Sequence, residues 1–175
     1  MRISQRSYIF VMTTIHPQNQ SIRKKYMVQQ KRIHRHKYFM EIAKLAAQRG
    51  TCPRAQVGCV LVGLDNRIKA TGYNSSHPGS PHCSTSGCII INDHCIRTIH
   101  AEVAAVLNLE MRYDNLIAYI THQACIDCYK ILTAAGVQQI VFWERYGNDF
   151  GEFNNLRKEI GVNPWCLQDL HDEAI

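Results

Sequence analysis

Apolar and polar residues recur with different periods along the chain, and these periods predict its first elements. Residues 37–50 predict a helix, because apolar side chains recur there at helical spacing and a glycine ends the run. Those side chains are Tyr38, Phe39, Ile42, Leu45 and Ala46. The β-rich segments 57–62 and 67–73 flank a turn and predict a hairpin. Apolar residues show no periodicity over residues 74–97. A loop of that length is usually functional or constrained by a further interaction.

Regular structure is predicted again after His100. Three helices alternate with three strands, the helices over residues 101–111, 125–135 and 150–160 and the strands over 116–121, 139–143 and, more weakly, 162–167. Glycines at 136 and 161 end two of the helices. A hairpin followed by alternating helices and strands indicates a three-layer α/β arrangement around a mixed sheet.

Charge is distributed unevenly along the chain. Residues 1–40 hold nine Lys/Arg and no Asp/Glu, whereas residues 41–175 hold 11 Lys/Arg against 14 Asp/Glu, so the net charge of +6 belongs to the N-terminal part. We therefore expect a basic arm over residues 1–35, partly disordered, and a folded domain over 36–175. The acidic body argues against an extended nucleic-acid-binding face but leaves room for a small basic pocket that holds one phosphate.

Apolar runs and cysteines indicate the compartment. The longest apolar runs, 57–63 and 116–120, are far below the roughly 18 residues of a membrane span, so no membrane contact is expected. The chain has eight cysteines, several of them beside histidines, and no segment typical of a secretory signal. This pattern favours thiols bound to metal in a reducing cytoplasm over a disulfide framework.

Two short motifs at predicted helix starts suggest a metal centre. His100 and Glu102 open one helix, and Cys125 and Cys128 open the next. One histidine and two thiolates are a ligand set with which a catalytic zinc keeps its fourth position for water. Unpaired N–H groups and the helix dipole favour thiolates at a helix N-terminus. Glu102 then stays free beside the water.

This order of residues matches the zinc deaminase signature, H-x-E followed by P-C-x-x-C. The chain departs from it at Ala124, where the signature has proline. Proline there would neither ligate nor transfer protons, so we interpret Ala124 as a small loss of loop rigidity. A closed zinc site or a chance pair of buried thiols would leave Glu102 without a role.

The chain resembles the deoxycytidylate (dCMP) deaminases of the cytidine deaminase-like superfamily, particularly the bacterial and phage type. The resemblance covers about residues 36–162 and rests on Cys52-Pro-Arg-Ala-Gln-Val-Gly58, Ala70-Thr-Gly-Tyr-Asn74, Pro81-His-Cys83, Gly87-Cys88, His94-Cys95, Arg97-Thr-Ile-His-Ala-Glu102, Cys125 to Cys128 and Ala135-Gly136. The cysteine-rich insert before His100 separates this type from the adenosine deaminases that act on transfer RNA. Free-nucleoside cytidine deaminases usually carry cysteine in place of His100.

The resemblance implies a three-layer α/β/α cytidine deaminase-like fold with a central mixed five-stranded sheet. It implies hydrolysis of dCMP to dUMP and ammonia in the cytoplasm, or the host cytoplasm for a viral protein, as a step toward thymidylate. His100, Cys125 and Cys128 would hold Zn²⁺, and Glu102 would carry protons. A homohexamer activated by dCTP and inhibited by dTTP, with Mg²⁺ on the effector triphosphate, is also implied. The alternatives are a transfer-RNA or single-stranded-DNA editing deaminase that uses the basic arm, and a non-catalytic zinc module.

The 5′-phosphate and sugar of such a substrate need hydrogen-bond donors. In similar proteins the Gly-Tyr-Asn loop lies between substrate and effector, so Asn74 is our candidate for nucleotide binding. Arg54, Gln56 and Tyr146 are weaker candidates, since Arg54 is equally well explained as a surface charge and Tyr146 as a rim residue.

A second, structural zinc is expected in the aperiodic loop, because a loop of this length needs a cross-link to hold one conformation. The favoured ligands are Cys52, Cys83, Cys88 and Cys95, with His94 as the substitute for one of them. Similar proteins have such an arrangement, but its ligands vary. The alternative is a set of reduced, unligated thiols.

Overall fold

A computed structural model of the chain describes residues 32–145 and 151–169. The described residues from Ile33 onward belong to one compact unit. The predicted basic arm therefore lies almost entirely outside the described residues, and its boundary at residue 35 stays a prediction. Tyr146 also lies outside them.

Outside residues 74–99 the elements follow the order that the periodicity predicts, whereas that stretch contains short elements that it did not predict. In chain order they are α1 (Arg35–Ala47), β1 (Gly58–Gly63), β2 (Ile68–Tyr73), β3 (Ser75–Ser76), α2 (Cys83–Ser86), β4 (Ile90–Ile91), β5 (His94–Cys95), β6 (Thr98–Ile99), α3 (Ala101–Leu107), β7 (Leu116–His122), α4 (Ile126–Ala134), β8 (Val137–Glu144), α5 (Gly151–Ile160), β9 (Trp165–Cys166) and a 3-10 helix at Leu167–Asp169. Within the described ranges, no helix is long and apolar enough to cross a bilayer.

Five strands form the central sheet in the order β2-β1-β7-β8-β9. β1 pairs antiparallel with both β2 and β7, while β7–β8 and β8–β9 are parallel. The predicted mixed five-stranded sheet is therefore confirmed. Its parallel half arises because α4 crosses from β7 to β8 and α5 lies between β8 and β9, as parallel connections require.

The sheet is buried on both faces. Along β1, Cys59 and Leu61 face one hydrophobic cluster together with residues of α3, α4 and α5, whereas Val60 and Val62 face the other cluster together with α1. This alternation follows from the period of two in a strand. Helices on both sides of one sheet make the three layers that the sequence predicted.

The buried face of α1 differs from the predicted one. Its core side chains are Phe39, Met40, Ala43 and Ala47, whereas Tyr38 and Leu45 are 47% and 64% exposed. The reason is a close backbone approach. A Cβ on Gly58 would lie only 2.0 Å from the Ala43 carbonyl oxygen, so the small residues of α1 must face β1. The helix turns the face that can come closest to β1 inward, so Ala43 and Ala47 join Phe39 in the core while Tyr38 and Leu45 stay outside.

Several predicted boundaries also differ, among them the end of α3 and the extent of the last strand. Helix α3 ends at Leu107 instead of residue 111, because the Asn108 side chain donates to the Thr71 carbonyl oxygen at 2.9 Å and the backbone leaves the helical conformation there. The apolar Leu107 and Met111 that extended the predicted pattern are exposed. The strand predicted over 162–167 is only Trp165–Cys166, since Leu167 starts the 3-10 helix.

Candidate active site and metal centres

Two helix starts bring His100, Cys125 and Cys128 together. His100 is the N-cap of α3 and Cys125 is the N-cap of α4, with Cys128 in the first turn of α4. The His100 Nδ1 lies 3.3 Å from the Cys128 Sγ and 3.7 Å from the Cys125 Sγ. A tetrahedral zinc with ordinary Zn–N and Zn–S bonds separates such ligand atoms by about 3.6 Å. The three side chains therefore fit a zinc ion.

A glycine sets the position of α3. A Cβ on Gly72 of β2 would lie 2.2 Å from the Ala101 carbonyl oxygen and 2.3 Å from the Ala105 amide nitrogen. Only glycine lets the first turn of α3 rest directly on β2. The Gly-Tyr-Asn segment thus has a packing role: it holds the helix start that carries His100.

Glu102 lies beside this group without belonging to it. The residue is only 4% exposed, and the group of residues close enough to share one metal ion does not include its carboxylate. Burial raises the pKa of the Glu102 carboxyl above its usual range, because desolvation disfavours the charged form. A buried, unligated carboxyl next to a zinc-type site is suited to both accepting and donating protons.

The two thiols share their ionisation unequally. Hydrogen bonding from the Cys128 thiol, with a further contribution from His100, lowers the pKa of Cys125 to about 4. The same interaction raises the pKa of Cys128. At least one thiolate, the form that binds metal, is therefore stable at neutral pH at this helix start.

A cavity of about 300 Å³ opens at the site, large enough for a small ligand. Its lining comes from the metal group, the Glu102 segment, the aperiodic loop and the end of β7: Cys52, Arg54, Ala55, Val57, Asn74, Asp93, His94, Cys95, Thr98, His100, Ala101, Glu102, His122, Gln123 and Cys125. Two of the four predicted nucleotide-binding residues, Arg54 and Asn74, are among them.

The predicted nucleotide residues are placed differently from one another. Asn74 is buried, and its amide bridges the segment before β1: Oδ1 accepts from the Val57 N–H and Nδ2 donates to the Ala55 carbonyl oxygen, both at 2.8 Å. Arg54 is exposed on the cavity wall. Gln56 does not line the cavity, because its side chain donates to the Gly50 carbonyl oxygen at 3.3 Å.

A second group gathers the four favoured cysteines of the loop. The sulfurs of Cys52, Cys83, Cys88 and Cys95 all lie within 4.8 Å of one another. The Cys52–Cys88 and Cys83–Cys95 separations are both 3.6 Å, close to the roughly 3.8 Å edge of a tetrahedral Zn–S₄ site. His94 stays outside this four-cysteine cluster and is exposed on the cavity wall.

In the four-cysteine cluster the pKa of Cys95 is lowered, whereas burial raises the pKa values of Cys83 and Cys88. Burial alone would raise the pKa of Cys95, but the Arg97 backbone N–H, the Cys83 thiol and the Ile89 backbone N–H outweigh it and lower that pKa to about 6. All eight cysteines of the chain are free of disulfides.

Comparison with known proteins decides the family. Residues 33–144 match the family model of the cytidine and deoxycytidylate deaminase zinc-binding region. The chain belongs to this family. The resemblance found in the sequence is thereby confirmed, and the His–Cys–Cys group lies inside the matched, zinc-binding region.

Two relatives and one solved structure show how far this family likeness extends. The chain is 43% identical over 118 residues to ComE operon protein 2 of Bacillus subtilis strain 168, covering 66% of this chain and 62% of that one. It is 36% identical over 119 residues to the deoxycytidylate deaminase of Mycobacterium phage D29, covering 60% of this chain and 91% of that one. It thus spans less than two thirds of the Bacillus relative.

The fold is that of a solved dCMP deaminase from cyanophage S-TIM5, crystallised with dCMP and dUMP. The superposition has a TM-score of 0.63 and 24% sequence identity over 75% of this chain and 95% of that one. At this identity the likeness establishes the fold, and it confirms the cytidine deaminase-like class expected from the sequence.

Asp93 and His122 are among the residues of the cavity wall that were not predicted from the sequence. Asp93 receives two hydrogen bonds from Arg54. His122 lies at the end of β7, where its Nε2 is 3.2 Å from a Glu144 carboxylate oxygen and its Nδ1 is 3.1 Å from the Thr121 Oγ1. Neither belongs to a motif. Only the pairing of β7 with β8 and the path of the loop bring their partners close.

Proposed function

We propose that the protein hydrolyses dCMP to dUMP and ammonia. The observation that carries this proposal is the buried, unligated Glu102 carboxylate beside a His–Cys–Cys group with zinc-type spacing. Relatives from phage D29 and from yeasts named deoxycytidylate deaminase support the substrate. The phage S-TIM5 neighbour, which binds dCMP and dUMP, has the same fold.

His100, Cys125 and Cys128 would hold the zinc, and the spacing of their ligand atoms fits that role. Zinc bound there would act as a Lewis acid that lowers the pKa of a water molecule toward neutrality. Glu102 accepts a proton from the attacking water and passes it to ring N3 while the water oxygen bonds to C4. It then carries the second proton to the exocyclic amine, the C4–N bond breaks and ammonia leaves.

The surroundings of Glu102 suit this proton transfer. Its burial keeps bulk water away from the carboxyl, and its raised pKa brings it closer to the working pH, where both of its protonation states are accessible. The Asp127 carboxylate, by contrast, lies at the same helix start as the cysteines but is exposed and paired with Lys130 at 2.8 Å, so it has no comparable role.

Arg54 and Asn74 would contact the nucleotide from the cavity wall. Arg54 supplies a guanidinium suited to a phosphate. The Asn74 Oδ1 accepts one hydrogen bond and its Nδ2 donates one within the protein. One lone pair of Oδ1 and one N–H of Nδ2 can therefore still bind a ligand. The nucleotide roles of Gln56 and Tyr146 stay predictions.

We also propose that Cys52, Cys83, Cys88 and Cys95 hold a structural zinc. The spacing of the four sulfurs supports it, and no carboxyl or histidine shares that group within the described ranges. Metal analysis of the purified protein should find two zinc ions per chain. One ion per chain would reject this second site.

Regulation and assembly follow from the family resemblance alone. We propose activation by dCTP with Mg²⁺ and inhibition by dTTP, which requires a second nucleotide site coupled to the first by about 1–3 kcal/mol. A homohexamer and a cytoplasmic location complete the proposal, and the eight free thiols fit a reducing compartment. Turnover with each effector and light scattering of the eluted protein test these points.

A substrate panel tests the activity itself. Ammonia release should be measured with dCMP, dCTP, cytidine and adenosine, and then with transfer RNA and single-stranded DNA, each at equal zinc loading. Turnover of dCMP well above the other substrates supports the proposal. Preferred turnover of transfer RNA or DNA would support the editing alternative and reject it.

A further inference from the structure

One part of the cavity wall joins two segments that are far apart in sequence. Arg54 donates through one NH₂ group to the Asp93 carbonyl oxygen at 3.1 Å and through the other to the Asp93 Oδ1 at 2.8 Å. The two residues are 39 positions apart, and both line the cavity that holds Glu102. This Arg54–Asp93 bridge closes the loop against the segment before β1.

Cysteines of the four-cysteine cluster lie close in sequence to both residues of the Arg54–Asp93 bridge. Cys52 lies two residues before Arg54 and its sulfur is 3.6 Å from that of Cys88, while Cys95 lies two residues after Asp93 and its sulfur is 3.6 Å from that of Cys83. A metal held by these four sulfurs would therefore fix the backbone at each end of the bridge. The cluster organises the wall of the cavity as well as the loop.

The turn that presents Asp93 is also tightly defined. Asn92 and Asp93 have φ angles of 48° and 62°, both in the left-handed region, and they connect the antiparallel pair β4–β5. Positive φ at both central residues is the geometry of a two-residue hairpin turn that matches strand twist. Both the carbonyl and the carboxylate of Asp93 are thereby available to one guanidinium.

The bridge leaves some N–H groups of the Arg54 guanidinium for a ligand. A guanidinium has five N–H groups in a fixed plane, and Asp93 takes two of them. Two contacts to one residue fix the plane, and the remaining three N–H groups have no hydrogen-bond partner among the described residues and can serve an anion. The Asp93 side chain is 92% exposed, and an ion pair so exposed adds little to stability, so orientation of Arg54 accounts better for the bridge.

We propose that Asp93 is a positioning residue that makes the cavity selective for a 5′-monophosphate by holding the Arg54 guanidinium on its wall. The inference rests on the proposed function, since it concerns the nucleotide in the same cavity. It adds that Asp93, an anion itself, improves the binding of an anionic substrate because orientation of Arg54 outweighs repulsion between the two negative charges.

Equilibrium binding tests this without turnover. Titration calorimetry should compare dCMP with deoxycytidine, which lacks the phosphate, on zinc-loaded protein that carries Glu102→Gln. Asp93→Ala should weaken dCMP binding by roughly tenfold and change deoxycytidine binding by less than about twofold. Asp93→Asn should restore most of the affinity for dCMP, because the amide oxygen still accepts from Arg54.

Two further variants test whether Asp93 acts on dCMP binding through Arg54. In an Arg54→Ala background, Asp93→Ala should cause no further loss of dCMP affinity, because Asp93 acts through Arg54. Asp65→Ala is the matched control: it removes another exposed aspartate, paired with Lys69 at 2.8 Å in the β1–β2 turn and absent from the cavity lining. It should leave both affinities unchanged.

Three results would overturn the inference. They are equal weakening of dCMP and deoxycytidine by Asp93→Ala, an undiminished effect of Asp93→Ala when Arg54 is already alanine, and tighter dCMP binding by Asp93→Ala. Turnover of dCMP by the unaltered protein is measured separately. If that turnover fails while the binding pattern holds, the proposed reaction is wrong and the positioning role of Asp93 stands.

Discussion

The two candidate metal groups are built by different means. The His–Cys–Cys group lies at the starts of α3 and α4, two helices packed on the central sheet, so the hydrophobic core determines its geometry. The four-cysteine cluster lies mostly in residues 74–97, where the elements are two to four residues long. There a metal would determine the geometry of the chain. Similar ligands would therefore support catalysis in the His–Cys–Cys group and stabilise the fold of the loop in the four-cysteine cluster.

A second difference concerns what surrounds the ligands. Three ligands would leave a bound ion one open coordination position beside the buried Glu102 carboxyl, whereas four thiolates would complete a tetrahedron. The first arrangement fits a catalytic ion, and the second fits a structural one. Substitutions in one metal group should change that group and leave the other unaffected.

The largest effect on turnover at unchanged zinc content is expected from Glu102→Gln. Because the amide cannot carry protons, turnover of dCMP should fall by about a thousandfold, within the usual range for general acid–base catalysis. Zinc content should stay at the value of the unaltered protein, since Glu102 is not a ligand. Steady-state kinetics and metal analysis on the same preparation check both. Normal turnover by this variant would end the assignment of Glu102.

Replacing one cysteine in each group should separate the two sites. Cys128→Ser should remove one zinc and abolish turnover while the thermal midpoint changes little, because the core holds α4 in place. Cys83→Ser should also remove one zinc, but it should lower the thermal midpoint by about 5 °C and open residues 74–97 to proteolysis.

The matched control for these two variants is Cys166→Ala. It removes a buried thiol that belongs to neither group, so both zinc ions should remain bound. Equal losses of stability in Cys128→Ser and Cys83→Ser would contradict the division into a catalytic and a structural site.

The same division explains what could be predicted from the sequence. The order of helices and strands, and the approach of His100 to Cys125 and Cys128, follow from periodic segments whose starts carry the ligands. The Arg54–Asp93 and His122–Glu144 pairs could not be foreseen, because they depend on the path of an aperiodic loop and on the pairing of parallel strands. Which face of α1 is buried depends on the contact of Ala43 with Gly58, and the periodicity of apolar residues does not predict that contact.

A smaller effect is expected from Gly72→Ala. The added Cβ would meet the backbone of Ala101 and Ala105, so α3 must shift, at a cost of about 1–3 kcal/mol in the free energy of unfolding. The shift should weaken zinc binding at the His–Cys–Cys group and spare the four-cysteine cluster. Chelator titration that follows the release of each zinc distinguishes them.

Gly79→Ala provides the comparison for Gly72→Ala. Gly79 has a positive φ of 83° and nothing within 4 Å of an added Cβ, so this substitution introduces backbone strain in the loop without displacing α3. It should lower stability slightly and leave the catalytic zinc as tightly bound as before. Similar loss of that zinc in both variants would refute the role of Gly72 in positioning α3.

The smallest effect concerns the α1 face, which carries neither metal group. The His36 Nδ1 lies 2.8 Å from the Tyr119 hydroxyl, and burial, aided by the charges of Arg35 and His34, lowers the pKa of His36 to about 4. An unfolded histidine titrates near 6.5. Between pH 6.5 and 4 the unfolded chain therefore binds more protons than the folded one, so stability falls as the pH drops through this window.

His36→Gln should flatten that acid dependence, because the amide keeps a partner for Tyr119 but does not titrate. Urea unfolding at several pH values between 4 and 7 measures the slope. His77→Gln, which replaces an exposed histidine of the loop, should leave the slope unchanged. Acid also releases zinc by protonating its ligands, and this contribution is common to all three proteins. The difference in slope between His36→Gln and the unaltered protein therefore measures the contribution of His36, and equal slopes would show that His36 does not contribute to the response to acid.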